Sequence, residues 1–508
     1  MQTVVIFLAS LAVLFVVKKV LEFLNAVRAI QNHPGFRTLF DPTGASSFFP
    51  RITGVSIGCD VMFNKYADYE AFGIDIISSV CAFPKVNTHY FIADAAVIKE
   101  IMTARLKFPK PIELYSLLLF FGHNIVASER EEWKKYRKIS APAFTEPNNK
   151  LVWEETVRVV TDLFDNVWGN KKEIVYDHAL DITMSLALFV IGGAGFGRRI
   201  GWNDEMVAPP GHKLTFRDTL AAVSHDTMLK VTLPNWALYA TKRTRALHMM
   251  DMINARRSSE KKEERYDLFS SLLDASEGNF DGESKLTDRE LLGNIFIFLI
   301  AGHETTAHTL CFSFALLGLY QDEQERLYQE LKKAFPDGRT PAYEDISKLT
   351  YVECVMNETL RMFPPASSVP KYATEDTTFV TKNAAGENVV VPVPAGTGVS
   401  LHISALQHNP RYWSDPFEFK PSRFLGDWPR DAFIPFSGGV RSCLGRRFAE
   451  LESLVALSMI IMRYKLTIKP EPEFEHETFE QRKARILKVT QGITITPVRV
   501  PLVLTRRD

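Results

Sequence analysis

The chain has 508 residues, 46% of them hydrophobic, with 60 basic and 60 acidic side chains and a formal net charge of zero. That content can bury a large core, and zero net charge removes any bulk electrostatic case for nucleic acid or an acidic partner. Length alone suggests about three domains, but no proline- or serine-rich linker and no internal repeat divides the chain. Its five cysteines (Cys59, Cys81, Cys311, Cys354, Cys443) are scattered, odd in number and without CxxC spacing, which speaks against a disulfide framework or zinc site and for a reducing compartment.

Met1–Val17 is nearly all apolar and is followed by Lys18, Lys19 and Arg28. A membrane span needs about 20 residues, so Val20–Phe23 must contribute. No basic residue precedes the apolar run, unlike a secretory signal. The positive charges after it favour a cytosolic remainder. An uncleaved anchor over residues 1–24 and a catalytic body over 25–508 are therefore expected, a cleaved signal peptide being the alternative. Leu21–Ile30 is amphipathic, and His33-Pro34-Gly35 breaks it. Short β-like runs such as Thr88–Ala93 follow. From Glu129 to about Tyr328 the pattern is mostly helical. It includes a long apolar helix from Asp288 to about Tyr320, opened by the capping box Thr287-Asp-Arg-Glu290. A helix over Tyr343–Met362 stops at Phe363-Pro364-Pro365. A helical stretch is expected over Arg447–Tyr464, and β-like runs return at Val389–Val393 and Ile486–Leu504. The fold class expected is mainly α with a minor β region. The sequon at Asn357 falls inside an expected buried helix.

The most informative residues are Phe436-Ser-Gly-Gly439-Val-Arg441-Ser-Cys443-Leu-Gly445, a glycine-rich turn just before a helix. Backbone N–H groups and the positive end of the helix dipole favour a thiolate there, the form that ligates metal. Glycines let the backbone pass close to a flat, bulky partner, and Arg441 suits a ligand carrying carboxylates. A single Cys ligand to haem fits best; the alternative is a glycine-rich turn with an incidental buried Cys. In the long helix, Ala301-Gly302-His303-Glu304-Thr305-Thr306 places an acid and hydroxyls beside a glycine, where burial without purpose is costly. Gly302 makes room for a small ligand, and Glu304 and Thr305 can relay protons. The alternative is a polar kink with hydroxyls bonded back to the preceding turn. His303 and His308 are five apart, roughly 140° round a helix, so they diverge and make no zinc-protease pair.

Glu358 and Arg361 share a helix face. Trp133 and Arg137, four apart, are a plausible double donor to a propionate, although Lys134, Lys135 and Lys138 indicate a largely solvated helix. Gly193-Ala-Gly195-Phe-Gly197 lacks the third glycine of a dinucleotide fingerprint, since Ile200 stands there, and it follows a helical pattern rather than a strand. No flavin or nicotinamide module is found.

The segment Phe436–Gly445 resembles the haem-binding signature of the cytochrome P-450 monooxygenases, F-x-x-G-x-R-x-C-x-G, at every fixed position. Three further segments resemble other motifs of that family in its order. Ala301–Thr306 is similar to A/G-G-x-D/E-T-T, Glu358-Thr-Leu-Arg361 to E-x-x-R, and Phe419-Lys-Pro421-Ser-Arg423-Phe424 to the P-x-R-F segment, with Ser422 where Glu is frequent. The resemblance implies a single large domain of triangular shape with haem b (iron protoporphyrin IX) between the long helix and the Cys443 loop. It implies dioxygen activation with Thr305 and Glu304 as catalytic proton donors. Cys443 is the implied iron ligand, with Trp133, Arg137, Arg441, Lys371, Phe436 and Gly439 binding the cofactor and Lys371 standing in for an arginine. Arg423 would complete a buried cluster with Glu358 and Arg361. The implied electron donor is a membrane-bound NADPH-cytochrome P-450 reductase, docking near Arg446, Arg447, Lys134, Lys135 and Lys138. The implied location is the endoplasmic reticulum membrane. Largely apolar stretches (Ile112–Ile125, Phe298–Gly302, Ala366–Val369 and the C-terminal β turn) are expected to line a pocket for a lipophilic substrate. Two alternatives remain: a haem isomerase or dehydratase acting on peroxides, and a non-catalytic membrane-anchored haem carrier or sensor.

Overall fold

The computed structural model describes residues 2–42, 50–58, 64–119, 121–203, 267–277, 285–492 and 494–507. Cys59 and much of the expected helical region after residue 203 lie outside these. Residues 2–29 form one continuous helix, Gln2–Ala29, rather than an anchor followed by a separate amphipathic piece. No glycine or proline interrupts it, and Lys18 and Lys19 both pair with Glu22 across the junction (3.9 and 3.3 Å). It is long and apolar enough to cross a membrane, and its most apolar window is 0% buried against the rest of the chain. The long helix Asp288–Leu319 passes the same test of length and composition, but 78% of its window is buried, which marks it as a core helix.

The chain divides into two compact units, the first comprising residues 1–111, 366–418 and 429–442. Its sheet orders the strands Gly35–Phe40, Ile76–Phe83, Asn87–Ile92, Gly398–His402 and Ser368–Tyr372. The first and third pairings are parallel and the other two antiparallel. Gly35 has φ +148°, and a Cβ there would lie 1.9 Å from the Ser78 carbonyl oxygen, so only glycine lets the helix exit dock on the sheet edge. Tyr69, Ile74, Ile77, Phe91 and Ala405 form the adjoining core. Thr377–Lys382 and Asn388–Val393 make a separate hairpin.

The second unit, residues 112–365, 419–428 and 443–508, is mainly helical. The capping box at Thr287 is present: its backbone N–H donates to Glu290 (2.8 Å) and its hydroxyl accepts from the Glu290 N–H (3.3 Å). The expected Tyr343–Met362 helix is split into a 3-10 segment, Tyr343–Lys348, and an α-helix, Thr350–Met362. The break falls at Leu349, and Asp345 fastens the first segment on itself. It accepts from the Ala342 N–H (2.9 Å) and pairs with Arg339 (2.6 Å) and Lys348 (2.9 Å). The helix after the Cys443 loop spans Arg446–Arg463, and Tyr464 already begins a strand. That strand and Glu173–Tyr176 flank Leu502–Arg506 in an antiparallel sheet. The strands Val489–Gln491, Ile495–Pro497 and the start of Leu502–Arg506 fall within Ile486–Leu504 as expected, but Ile486 closes a short helix, Phe479–Ile486.

Candidate active site

Cys443 lies three residues before the Arg446–Arg463 helix, and its side chain is exposed, whereas Cys81, Cys311 and Cys354 are buried. The surrounding chain nevertheless desolvates its sulfur and raises the thiol pKa. The Gly445 N–H and the positive charges of Arg137 and Arg446 act in the opposite direction, with Glu450 adding to the rise. One of the backbone donors expected from the turn is therefore in place, but desolvation outweighs it and the two arginines while the sulfur is a thiol. A bound metal cation reverses that balance, because a coordinating thiol is deprotonated outright. A sulfur that is accessible yet desolvated, with a cation and an N–H close by, fits a ligand to a large enclosed prosthetic group.

The long helix presents a matching face within the same unit. Ala301 is exposed and Phe298, Gly302 and Thr305 half-buried, in a helix whose other central residues are buried. These positions follow the spacing of one helix face. The Phe144 ring lies 6.2 Å from the Phe298 ring and 3.9 Å from where a Cβ would stand on Gly445, so it joins the Cys loop to the start of this face. Thr305 donates to the Ala301 carbonyl (2.7 Å) and Thr306 to that of Gly302 (3.0 Å), the back-bonded geometry of hydroxyls in a helix. Gly302 does not make room for a ligand. A Cβ there would stand 2.6 Å from the Cδ1 of Ile191, so the space belongs to core packing.

Glu304 points elsewhere than Thr305. Its carboxyl is buried, one oxygen lacks a hydrogen-bond partner, and burial pushes its pKa up to about 7 despite a hydrogen bond with Thr494. His308, one turn on, bonds the same Thr494 hydroxyl through Nδ1 at 2.8 Å. His303 instead bonds the Leu299 carbonyl (2.7 Å), so the two histidines face different partners.

Glu358 and Arg361 are both fully buried and paired at 2.7 and 2.9 Å. Glu358 Oε1 also accepts from the Lys420 N–H (2.9 Å) and Arg423 Nε (3.1 Å). The three-member cluster expected from E-x-x-R and P-x-R-F is assembled. Trp133 is buried and Arg137 half-buried on the helix Arg130–Ser140, and Arg137 acts electrostatically on Cys443. Lys135 is tied to Glu290 (2.7 Å), Lys134 to Glu131 (2.6 Å), and Arg446 and Arg447 to Glu450 (2.8 and 3.4 Å).

In the first unit, Lys371 is buried on the strand Ser368–Tyr372, opposite Val399. Phe436 is half-buried, and Gly439 and Arg441 bound a 3-10 turn, with Ser437 and Gly439 at positive φ. A Cβ on Gly438 would meet the Met102 methyl at 2.9 Å, and one on Gly439 the Met102 carbonyl at 3.2 Å. These glycines thus admit the helix Ala95–Thr103 against the loop, a role that composition did not reveal. Gly193–Gly195 lies in a π-helical turn, Ile191–Gly195, where a Cβ on Gly193 would stand 2.6 Å from a Glu155 carboxylate oxygen. That glycine accommodates a buried acid held by Arg158 (2.8 Å) and Arg199 (2.6 Å). Thr494, Phe144, Ile191 and Met102 were missed in sequence because each acts through a contact distant along the chain.

A family model described as cytochrome P-450 matches residues 80–496. Cytochrome P-450 monooxygenase 124 of Postia placenta is 53% identical, with all of both chains covered. Cytochrome P-450 monooxygenase prx9 of Penicillium rubens is 29% identical, with 74% of each chain covered. Among solved structures, a cytochrome P-450 haem domain superposes with a TM-score of 0.74 at 22% identity, covering 94% of this chain and 98% of that one. The chain therefore belongs to the cytochrome P-450 family of monooxygenases, whose cofactor is haem iron.

Proposed function

We propose that the chain is a haem b monooxygenase that inserts one oxygen atom of dioxygen into a lipophilic small molecule. The observation that carries this reading is the Cys443 sulfur, accessible yet desolvated, beside Arg137 and the Gly445 N–H. When bound, haem supplies the redox-active iron that reacts with dioxygen. Cys443 would hold that iron, Trp133 would donate a hydrogen bond and Arg137 a charge-assisted one to the propionates, and the family motifs assign Arg441, Lys371, Phe436 and Gly439 to the same cofactor. Thr305 offers a hydroxyl at the accessible helix face. Glu304, with its pKa lifted to about 7, can both hold and release a proton near neutral pH. The apolar face at Phe298 and Ala301 favours a lipophilic substrate. An acid with so poised a pKa on this helix favours monooxygenation over the peroxide isomerase and the inert carrier.

The helix Gln2–Ala29 anchors the protein in the endoplasmic reticulum membrane, residues 1–24 supplying the apolar part and residues 25–508 a cytosolic catalytic body. An NADPH-cytochrome P-450 reductase delivers electrons, with the exposed Arg446, Arg447 and Lys138 as its docking cations. The test is spectroscopic. The reduced wild-type protein with carbon monoxide should give a strongly red-shifted Soret band that Cys443→Ala abolishes, and retention of the band in the variant overturns the reading. Products are then sought with reductase, NADPH and a panel of lipophilic compounds.

A further inference from the structure

The turn of the C-terminal hairpin sets Thr494 against the long helix, although the sequence suggested only that this turn lines a substrate pocket. Thr494 is buried, and its hydroxyl meets two side chains one helical turn apart, Glu304 and His308. A hydroxyl has one proton to donate, and an ionised carboxylate can only accept. When Glu304 is ionised, Thr494 therefore donates to it, and the Thr494 oxygen is left to accept from His308 Nδ1–H at 2.8 Å. The result is a directed chain of donors, His308 to Thr494 to Glu304, ending on a carboxyl that has no other hydrogen-bond partner on its second oxygen.

The outer end of this chain is His308, itself buried. His308 feels the charges of His303 and His178. His178, half-buried at the end of the strand Glu173–Tyr176, bonds the Pro497 carbonyl of the hairpin and accepts from the Val500 N–H (3.2 Å). It is itself influenced by Asp181 and Arg499. The titratable and charged groups around the relay are therefore His303 and His308 on the helix itself, His178 and Asp181 from the preceding strand and helix, and Arg499 after the hairpin.

We propose that Thr494 and His308 are the residues that recharge Glu304 with protons, so that the acid is resupplied from the hairpin side of the helix and not through the substrate side. This rests on the monooxygenase reading. In one turn of the relay the Thr494 hydroxyl proton passes to a Glu304 oxygen, and the His308 Nδ1 proton replaces it on Thr494. A solvent proton enters at His308 Nε2. No electron moves, and one solvent proton is consumed for each proton delivered.

The test needs neither substrate nor turnover. In the detergent-solubilised full chain, the infrared carboxyl band of Glu304 is assigned by its loss in Glu304→Gln. It is then titrated, and its exchange in heavy water is timed. Thr494 stabilises the charged form, so Thr494→Val should raise the Glu304 midpoint by about one pH unit and slow exchange roughly tenfold or more. Thr494→Ser should restore both. His308→Phe should keep the midpoint and slow exchange, and it carries the test should Thr494→Val not fold. Wild-type exchange in Thr494→Val or His308→Phe overturns the relay, as does failure of Thr494→Ser to restore it. Failure of the monooxygenase reading shows separately, as a carbon monoxide band that survives Cys443→Ala.

Discussion

Gly302 and Ile191 offer the sharpest quantitative check on how the long helix is seated. A Cβ built on Gly302 stands 2.6 Å from Ile191 Cδ1 and 3.3 Å from Cγ1. Carbon atoms settle at about 3.5–4.0 Å, so Cδ1 must retreat by roughly 1 Å, and Cγ1 by a few tenths even after the side chain rotates. Overpacking of this kind costs about 1–3 kcal/mol, while alanine improves the helix by about 1 kcal/mol over glycine. Gly302→Ala should therefore be neutral to destabilising by about 2 kcal/mol in the wild-type background. Ile191→Val removes the clashing methyl at a cost of about 0.5–1.5 kcal/mol. In that background Gly302→Ala should turn neutral or stabilising, for a coupling energy of about 1–3 kcal/mol. Denaturant unfolding of the four proteins of the cycle, followed by tryptophan fluorescence, measures it. An identical cost for Gly302→Ala in both backgrounds refutes the claim that Ile191 fills the glycine's space.

Glu358→Gln leaves Arg361 and Arg423 without their shared counter-charge and should destabilise by about 3–5 kcal/mol; a loss under about 1 kcal/mol in the same unfolding assay would contradict the buried cluster. Gly193→Ala drives a Cβ into the Glu155 carboxylate, which two arginines hold in place, so it should cost about 1–3 kcal/mol and not be rescued by Ile191→Val. Glu304 has a folded pKa of about 7 against 4.5 as its ordinary value, so its neutral form is favoured by folding. The stability this contributes is complete below about pH 4.5 and is lost as pH rises through about 7, amounting to about 3 kcal/mol. The difference in unfolding free energy between wild type and Glu304→Gln should change by that amount between pH 4 and pH 8; a pH-independent difference would show that Glu304 is not desolvated.

The helical framework was legible because its signals are local. Thr287 and Glu290 satisfy each other's backbone donors wherever that helix sits, and Pro364 ends the preceding helix without regard to its neighbours. The Cys443 loop was legible for the same reason, since glycines, arginine and cysteine within ten residues specify their own turn. Glu358, Arg361 and Arg423 were legible only through family spacing, because an i,i+3 pair by itself is equally a surface contact. Local sequence was ambiguous where a glycine's purpose depends on what approaches it. Gly302 and Gly438 read as room for a ligand, yet Ile191 and Met102 fill the space, and the purpose of Gly193, next to Glu155, could not be read at all.

The chain's own order of residues thus determined the elements, the Cys443 turn and the buried ion cluster, all of which rest on contacts within a turn or on a family motif. Tertiary structure alone decided that Glu304 turns away from Thr305 towards Thr494 and His308. Those partners are 190 and 4 residues away along the chain, and no periodicity can state which hairpin a helix face meets. Their pairing follows from packing, where a buried carboxyl must take whatever donor the neighbouring turn provides.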